Sequence, residues 1–405
     1  VTDTMHNQEF DGVVCFGGED WWYHNRGHID MQLMRRFAKT WTTLYINSIV
    51  MQKPKVTEGR KFVQKLVRKS KSIFKGAKLG DGGFWVYSPF SLPVHHLSWA
   101  RSFNNMLMAG QIGRIERRLR ITNPLVWVAC PAACEPAVKA KKAGLVYQRT
   151  DRYEEFPGVD VETIKRFDRK LKERADLTVF ASSALFEEES GQCRKALYLD
   201  HGVDYELFAS AEKDPTRPAD IAGIPGPIIG FYGGFADHTT DIALLEKLAD
   251  MLPDKSFVLV GQPSPQCDGL RDKKNVWMLG QRPYEQIPHY GKFFDVAIMP
   301  WKRNKWIEAC NPIKLKEYLA LGKPVVSTPF NELNKYGEVV YEARTAEEFA
   351  KAVGLALAED SSALIAARRA KVAESTWDHK VRMLLCTLYP DRKPGEVEAV
   401  GQQSQ

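Results

Sequence analysis

The chain has 405 residues, 44% of them hydrophobic and 26% charged, with a formal net charge of +7. That length accommodates two or three domains with proper cores, and the ordinary composition excludes a fibrous or low-complexity protein. No apolar run approaches the ~20 residues of a membrane-spanning helix, and no Arg-rich tail or nucleic-acid module accompanies the modest positive charge, which argues against nucleic acid as a partner.

The opening stretch VTDTMHNQEFDG lacks a basic region followed by an apolar one, so no signal peptide is expected. Seven scattered cysteines fit reduced thiols, and a cytoplasmic location is the expectation. Val13–Phe16 predicts a first strand broken by Gly17-Gly18, followed by a helix with apolar residues at Ile29, Leu33, Met34 and Phe37. A glycine turn after a first strand invites a dinucleotide site, but GxGxxG is absent and the loop is bulky. Trp21, Trp22, Tyr23, His24 and Arg26 instead form an amphipathic loop: aromatic faces suit sugar rings, and Arg and His suit anions. The alternative is an aromatic cluster capping the core.

Thr43–Asn47 predicts a second strand. From Lys53 to Lys78 there are ten Lys/Arg and one acid, Glu58. Within this segment (53–78), RKFVQKLVRKSKSIFK places Phe62, Val63, Leu66, Val67, Ile73 and Phe74 among cations, the pattern of a helix lying on an anionic membrane surface. A solvated basic helix is the alternative. Phe84–Ser88, Leu125–Ala129 and Leu145–Gln148 are further predicted strands alternating with helical stretches, so a doubly wound α/β domain is expected. Cys130 and Cys134 have no second Cys/His pair at zinc-site spacing, and no metal is expected there. Asp151 follows a strand's carboxyl end, beside Arg149 and Tyr153, where a carboxylate can act as general base on an acceptor hydroxyl. A salt bridge to Arg149 or Arg152 is the structural alternative. Asp160 predicts an N-cap for a helix over 161–174, with a strand at Leu177–Ala181.

Lys195–Leu199 and HGVDYELF close the first domain, and Asp214–Pro227, rich in Pro, Gly and Ala, reads as a linker. The second domain starts with Ile228–Tyr232 and the turn Gly233-Gly234, where backbone N–H groups can approach phosphate. Helix and strands then alternate to Val296–Met299. Asn311-Pro312 opens a helix with apolar residues at Ile313, Leu315, Tyr318, Leu319 and Leu321, stopped by Gly322 before the strand Val325–Ser327. This is one parallel βαβ unit, with its polar residues at the carboxyl end of the first strand, where open sheets bind ligands. Lys314 in the first turn makes an anion site together with the helix N-terminus. Glu317 one turn on can accept hydrogen bonds from a ribose diol, so a nucleotide diphosphate is the ligand these residues suggest. Trp377–Leu388 predicts a terminal helix, and a polar tail follows.

NPIKLKEYLALGKPVV resembles the nucleotide-sugar motif of GT-B-fold glycosyltransferases. Many members carry two glutamates separated by seven residues. With Glu317 as the second, position 309 is Ala309, and Glu308 is one residue out of register. His201-Gly202-Val203-Asp204 with Phe208 is a second point of likeness. The resemblance implies an α/β GT-B fold: two doubly wound Rossmann-like domains facing a cleft, with a C-terminal helix crossing back to the first. The expected divisions are 1–210 (acceptor domain), 211–375 (nucleotide-sugar domain), 376–390 (crossover helix) and 391–405 (disordered tail). It also places Arg282 and Tyr284 at the nucleotide base.

More narrowly, EDWWYHNRGHIDMQL, YQRTDRYEEF, LDHGVDYEL and NPIKLKEYL occur in the order found in the glucuronosyltransferases of xanthan assembly. That likeness implies Asp151 as general base, Asp20 and Arg26 in the acceptor site, and Lys314 at the diphosphate or donor sugar. The chain also resembles the family-4 transferases of capsule and teichuronic acid pathways, which retain configuration. In a retaining enzyme Asp151 only orients the acceptor.

The expected function is transfer of a sugar from a nucleotide diphosphate sugar, UDP-linked, to a saccharide or lipid-linked saccharide acceptor. Lys314, the Gly233 and Gly234 amides and the helix end at Asn311 would stabilise the leaving diphosphate without metal or other cofactor. No D-x-D loop is present, since Asp160-Val161-Glu162 reads as a helix cap. The rival readings are a nucleotide-sugar 2-epimerase and a non-catalytic scaffold on the same fold.

Overall fold

The computed structural model describes residues 10–23, 27–48, 60–90, 98–359 and 361–390, with 60–66 and 98–102 as backbone. The disordered tail expected over 391–405 lies outside the described residues. Two compact units emerge, one of residues 1–200 with 380–405 and the other of residues 201–379.

The first unit is built on eight strands: β1 (Gly12–Phe16), β2 (Thr42–Ile46), β3 (Lys78–Leu79), β4 (Trp85–Tyr87), β5 (Pro124–Val128), β6 (Gly144–Arg149), β7 (Leu177–Phe180) and β8 (Ala196–Tyr198). They lie in the order β3-β4-β2-β1-β5-β6-β7-β8. Every pairing is parallel except the short β3–β4 edge. β1, β5 and β6 are buried along their whole length. Burial on both faces is why they read as unbroken apolar runs rather than alternating ones.

The second unit has β9 (Ile228–Tyr232), β10 (Ser256–Val260), β11 (Val276–Gly280), β12 (Val296–Met299), β13 (Val325–Ser327) and β14 (Val340–Glu342). Their order is β11-β10-β9-β12-β13-β14, all parallel. Several intervening helices start at side-chain caps, of which the one at Asp160 is as expected. Asp160 accepts from the Thr163 N–H, Asp241 from Leu244 and Thr345 from Glu348.

The units divide at Asp200/His201, so HGVDYELF belongs to the second unit rather than closing the first. The cause is a set of close contacts. The Val203 N–H donates to the Ser375 carbonyl at 2.7 Å, and the Lys316 ammonium donates to the His201 carbonyl. A Cβ on Gly202 would stand 2.6 Å from the Trp377 ring. The terminal helix Trp377–Leu388 starts in the second unit and from Lys380 onward belongs to the first. There Lys380 pairs with Asp200, and the Lys195 ammonium donates to the Thr387 carbonyl at 2.6 Å.

Candidate functional site

In the second unit, β9 ends at Tyr232 and the chain turns through Gly233 at φ 143°, outside the range of L side chains. The space a Cβ would fill is taken: it would lie 2.3 Å from Lys314 Nζ. Lys314 reaches there from the first turn of the helix Ile313–Ala320, which starts after Pro312 and has no side-chain cap. Its ammonium lies 4.6 Å from the Phe231 ring centroid and 5.5 Å from that of Trp301. Aromatic faces stabilise the cation. Withdrawal from water outweighs them and, against the attraction of Glu317, lowers the Lys314 pKa to about 8.

Glu317, one turn along the helix, is 4% exposed. Burial raises its pKa to about 7, opposed by the hydroxyls of Tyr232 and Tyr284 and by the Lys314 charge. Tyr318 fixes the same strand end, its hydroxyl accepting the Tyr232 N–H at 3.0 Å. Gly234 has open space where a side chain would go. The product is a cation, an uncapped helix start and a glycine turn at one point, with a carboxylate flanked by phenols behind them. A diphosphate-bearing ligand with a diol suits those groups.

Other expected members of this site are placed differently. Tyr284 is buried beside Glu317, whereas the Arg282 guanidinium is engaged by Asp220 at 2.5 Å and by the Tyr290 hydroxyl at 2.9 Å. That side chain therefore ties the end of β11 to the segment ahead of β9 while staying partly exposed. Asn311 is buried just ahead of the helix. Ala309 is fully buried and Glu308 exposed, so no carboxylate occupies the position of a first glutamate.

In the first unit, the Gly17-Gly18 turn is occupied from within. Asp30 accepts the Gly18 N–H and the Tyr45 hydroxyl, both at 2.8 Å. An internal carboxylate stands where a dinucleotide fold would place phosphate. Asp20 follows, its carboxylate accepting the Trp22 N–H at 3.0 Å, Asn47 Nδ2 at 3.3 Å and the Ser72 hydroxyl at 3.2 Å. Asn47 also donates to Ser88 at 2.8 Å and receives the Trp21 N–H at 2.9 Å. Asn47, Ser72 and Ser88 escaped the sequence reading, although a polar residue directly after a buried parallel strand, as at Asn47 and Ser88, is a signal for them.

Trp21 is a correction. Expected in an acceptor-binding loop, it is fully buried, edge-on to Phe84 at 4.6 Å between ring centroids and 5.4 Å below the Arg35 guanidinium. It packs the core because the Asn47 bond turns its backbone inward. Trp21→Ala should destabilise the first unit by about 3–5 kcal/mol, the usual cost of deleting a buried large aromatic. Urea denaturation followed by circular dichroism measures it, and a loss under about 1 kcal/mol would contradict a core role. Trp22 is half-buried, with Lys75 Nζ 4.1 Å from its ring centroid. His24 and Arg26 lie outside the described residues.

The expected basic segment contains a helix, Arg60–Phe74, and Lys53–Glu58 lies outside the described residues. Among its described side chains the buried one is Ser72, while Val67 and Phe74 are exposed, Phe74 by 89%. Lys69 donates to the Ser48 carbonyl at 3.2 Å, and burial lowers its pKa.

Asp151 stands two residues beyond β6, at the same sheet edge as Asp20 beyond β1. Arg149, 1% exposed, pairs with Glu154 and Glu189, both at 3.0 Å, and Asp168 at 3.3 Å; Arg152 pairs with Glu188. Among the described residues no group of three or more His, Cys, Asp or Glu could hold a metal ion.

Residues 226–359 match the family model described as glycosyl transferases group 1. The chain is 32% identical over 190 residues to the putative teichuronic acid biosynthesis glycosyltransferase TuaH of Bacillus subtilis strain 168. That match takes in 45% of this chain and 47% of the relative, so the chain spans about half the length of the curated relative it matches. Among solved structures, sucrose-phosphate synthase from Thermosynechococcus elongatus superposes with a TM-score of 0.67 at 15% identity, over 92% of this chain and 97% of that one. Anabaena HepE in complex with UDP and glucose superposes at 0.60 and 14% identity, over 98% of each. The fold is GT-B, with two Rossmann-like parallel-sheet units.

Proposed function

We propose that this GT-B chain, whose residues 226–359 form a group 1 glycosyl transferase domain, transfers a sugar from a nucleoside diphosphate sugar to a saccharide or lipid-linked saccharide. The observation that carries the reading is Lys314, held over Gly233 at an uncapped helix start. As the glycosidic bond breaks, negative charge grows on the leaving diphosphate. Lys314, the backbone N–H groups of Gly233 and Gly234 and the helix end stabilise that charge. The reading needs no metal, because an ammonium and aligned amides perform the neutralisation. Glu317 takes the ribose diol. UDP is the expected nucleotide, in keeping with the UDP in the HepE complex and with a relative described as a teichuronic acid glycosyltransferase.

The first unit supplies the acceptor groups in this reading: Asp20 and Trp22, with His24 and Arg26 from the same loop. Asp151 removes the acceptor proton if configuration inverts and orients the hydroxyl if it is retained. An anionic membrane surface is the further partner proposed, met by Val67 and Phe74 amid Arg68 and Lys71 on the helix Arg60–Phe74. It suits an acceptor carried on lipid.

Calorimetric titration with UDP, GDP and dTDP tests the donor site. Selective binding of one nucleotide is expected, and a folded protein that binds none would overturn the reading. The buried Ala309 favours one competing account, a GT-B scaffold without turnover. Donor hydrolysis separates the two, because a scaffold releases no nucleotide.

A further inference from the structure

The second sheet has a cavity of about 620 Å³ at its amino-terminal edge, beside Pro227, Asp295 and Pro324, which precede β9, β12 and β13. The Lys314 site stands at the opposite, carboxyl-terminal edge. Five cations and three carboxylates line the cavity. Each carboxylate is already engaged: Glu212 by Arg369 at 2.5 Å, Glu359 by Arg368, and Asp295 by the Ile228 N–H at 2.6 Å.

The cations keep unused donors. Arg368 is 97% buried, being 3% exposed, yet its Nε has no acceptor among the described residues, and neither has that of Arg369. Arg368 and Arg369 come from the helix Ser362–Ala373, which packs against Gly322, where a Cβ would meet Ile365 at 2.7 Å. That contact holds both guanidinium groups beside Lys323. The Lys323 ammonium reaches the Lys292 carbonyl at 2.5 Å, which uses one of its three hydrogens.

We propose that this cavity is an anion site for a phosphate-bearing ligand, held by Lys323 and by the guanidinium groups of Arg368 and Arg369. A buried guanidinium with an unmet N–H carries a desolvation cost that an oxyanion removes. Phosphate presents several oxygens to neighbouring donors, which suits two arginines and an ammonium converging from separate elements. Burial, together with the like charge of Arg369, lowers the Lys323 pKa. A dianion relieves both effects. The volume exceeds that of bare phosphate and admits the small body of a phosphomonoester.

The test is calorimetric titration of the full chain with inorganic phosphate, and in parallel with glucose 6-phosphate, at constant ionic strength. One saturable site is expected. It should weaken about tenfold or more in Arg369→Gln and in Lys323→Gln, each losing a charge-assisted hydrogen bond. Both positions are partly exposed, and matching circular dichroism melts establish that the variants fold. Lys314→Ala should leave this affinity unchanged, which separates the cavity from the donor site. Tighter binding of glucose 6-phosphate would identify a phosphomonoester as the ligand, and equal binding would identify the phosphate group itself. Absence of saturable binding, or binding lost in Lys314→Ala and retained in the other two variants, would overturn the proposal.

Discussion

Lys314→Ala is expected to lower turnover of the nucleoside diphosphate sugar by about 10²–10³-fold, the usual cost of removing one preorganised stabiliser of developing charge. The ammonium is a poised group rather than a surface charge. Burial lowers its pKa to about 8, so the ammonium is still mostly protonated at neutrality but carries a desolvation cost, which an arriving diphosphate offsets. A distinctive pH dependence follows. Above pH ~8 the free protein has lost this proton, and binding must take one up, so affinity falls by up to about tenfold per pH unit. On the acid side Glu317, raised to about 7, is protonated below that value and no longer accepts two hydroxyl hydrogens. The two groups interact, so the profile of kcat/KM or nucleotide affinity should be a narrow bell with limbs belonging to the pair. In Lys314→Ala the alkaline limb should disappear. A wild-type profile flat from pH 6 to 9 would sink this assignment.

The same shifts bear on stability with definite signs. Glu317 has a raised pKa in the folded protein, so the native state binds the extra proton between the ordinary carboxyl value and about 7. Stability from this group is lost as pH rises through that window. Lys314 has a lowered pKa, so its burial cost is relieved as pH rises from about 8 toward its usual value. Ligand is therefore expected to stabilise the second unit most near pH 7–8, where both groups are charged.

Asp151→Asn is the second substitution with a large expected effect. If Asp151 is the general base on the acceptor hydroxyl, its loss should cost about 10²–10⁴-fold in the chemical step, read in kcat with donor KM nearly unchanged. Asparagine keeps the size and the hydrogen-bonding shape, so a folding defect is not expected. The stereochemistry of the product, read by proton NMR of the anomeric signal, decides between the two roles. Inversion with a large kcat loss assigns the base. Retention with a loss below about tenfold assigns orientation only.

The donor half of the candidate site was legible because it is local. Lys314, Glu317 and the helix that carries them lie in one βαβ segment, and helical spacing places them one turn apart. Gly233 was legible as a turn after a strand, although its contact with Lys314, 81 residues away in sequence, was not. The first-unit half was harder. Trp21 and Trp22 are adjacent and chemically identical, yet one is core and the other half-buried. Asp20, Asn47, Ser72 and Ser88 come from four separate places in the chain. The pairing of Arg282 with Asp220, 62 residues away in sequence, was likewise not legible.

By itself, the sequence determined the alternation of strands and helices, the cap at Asp160, and the parallel character of the sheets. Those features depend on burial pattern and on hydrogen bonds within a few residues. Only the tertiary structure decided which polar groups meet. It assigned HGVDYELF to the second unit, set Asp30 in the first glycine turn, and brought Lys323, Arg368 and Arg369 to one cavity. Such meetings depend on strand order and on how closely glycine lets elements approach. Neither quantity has a period or a spacing along the chain.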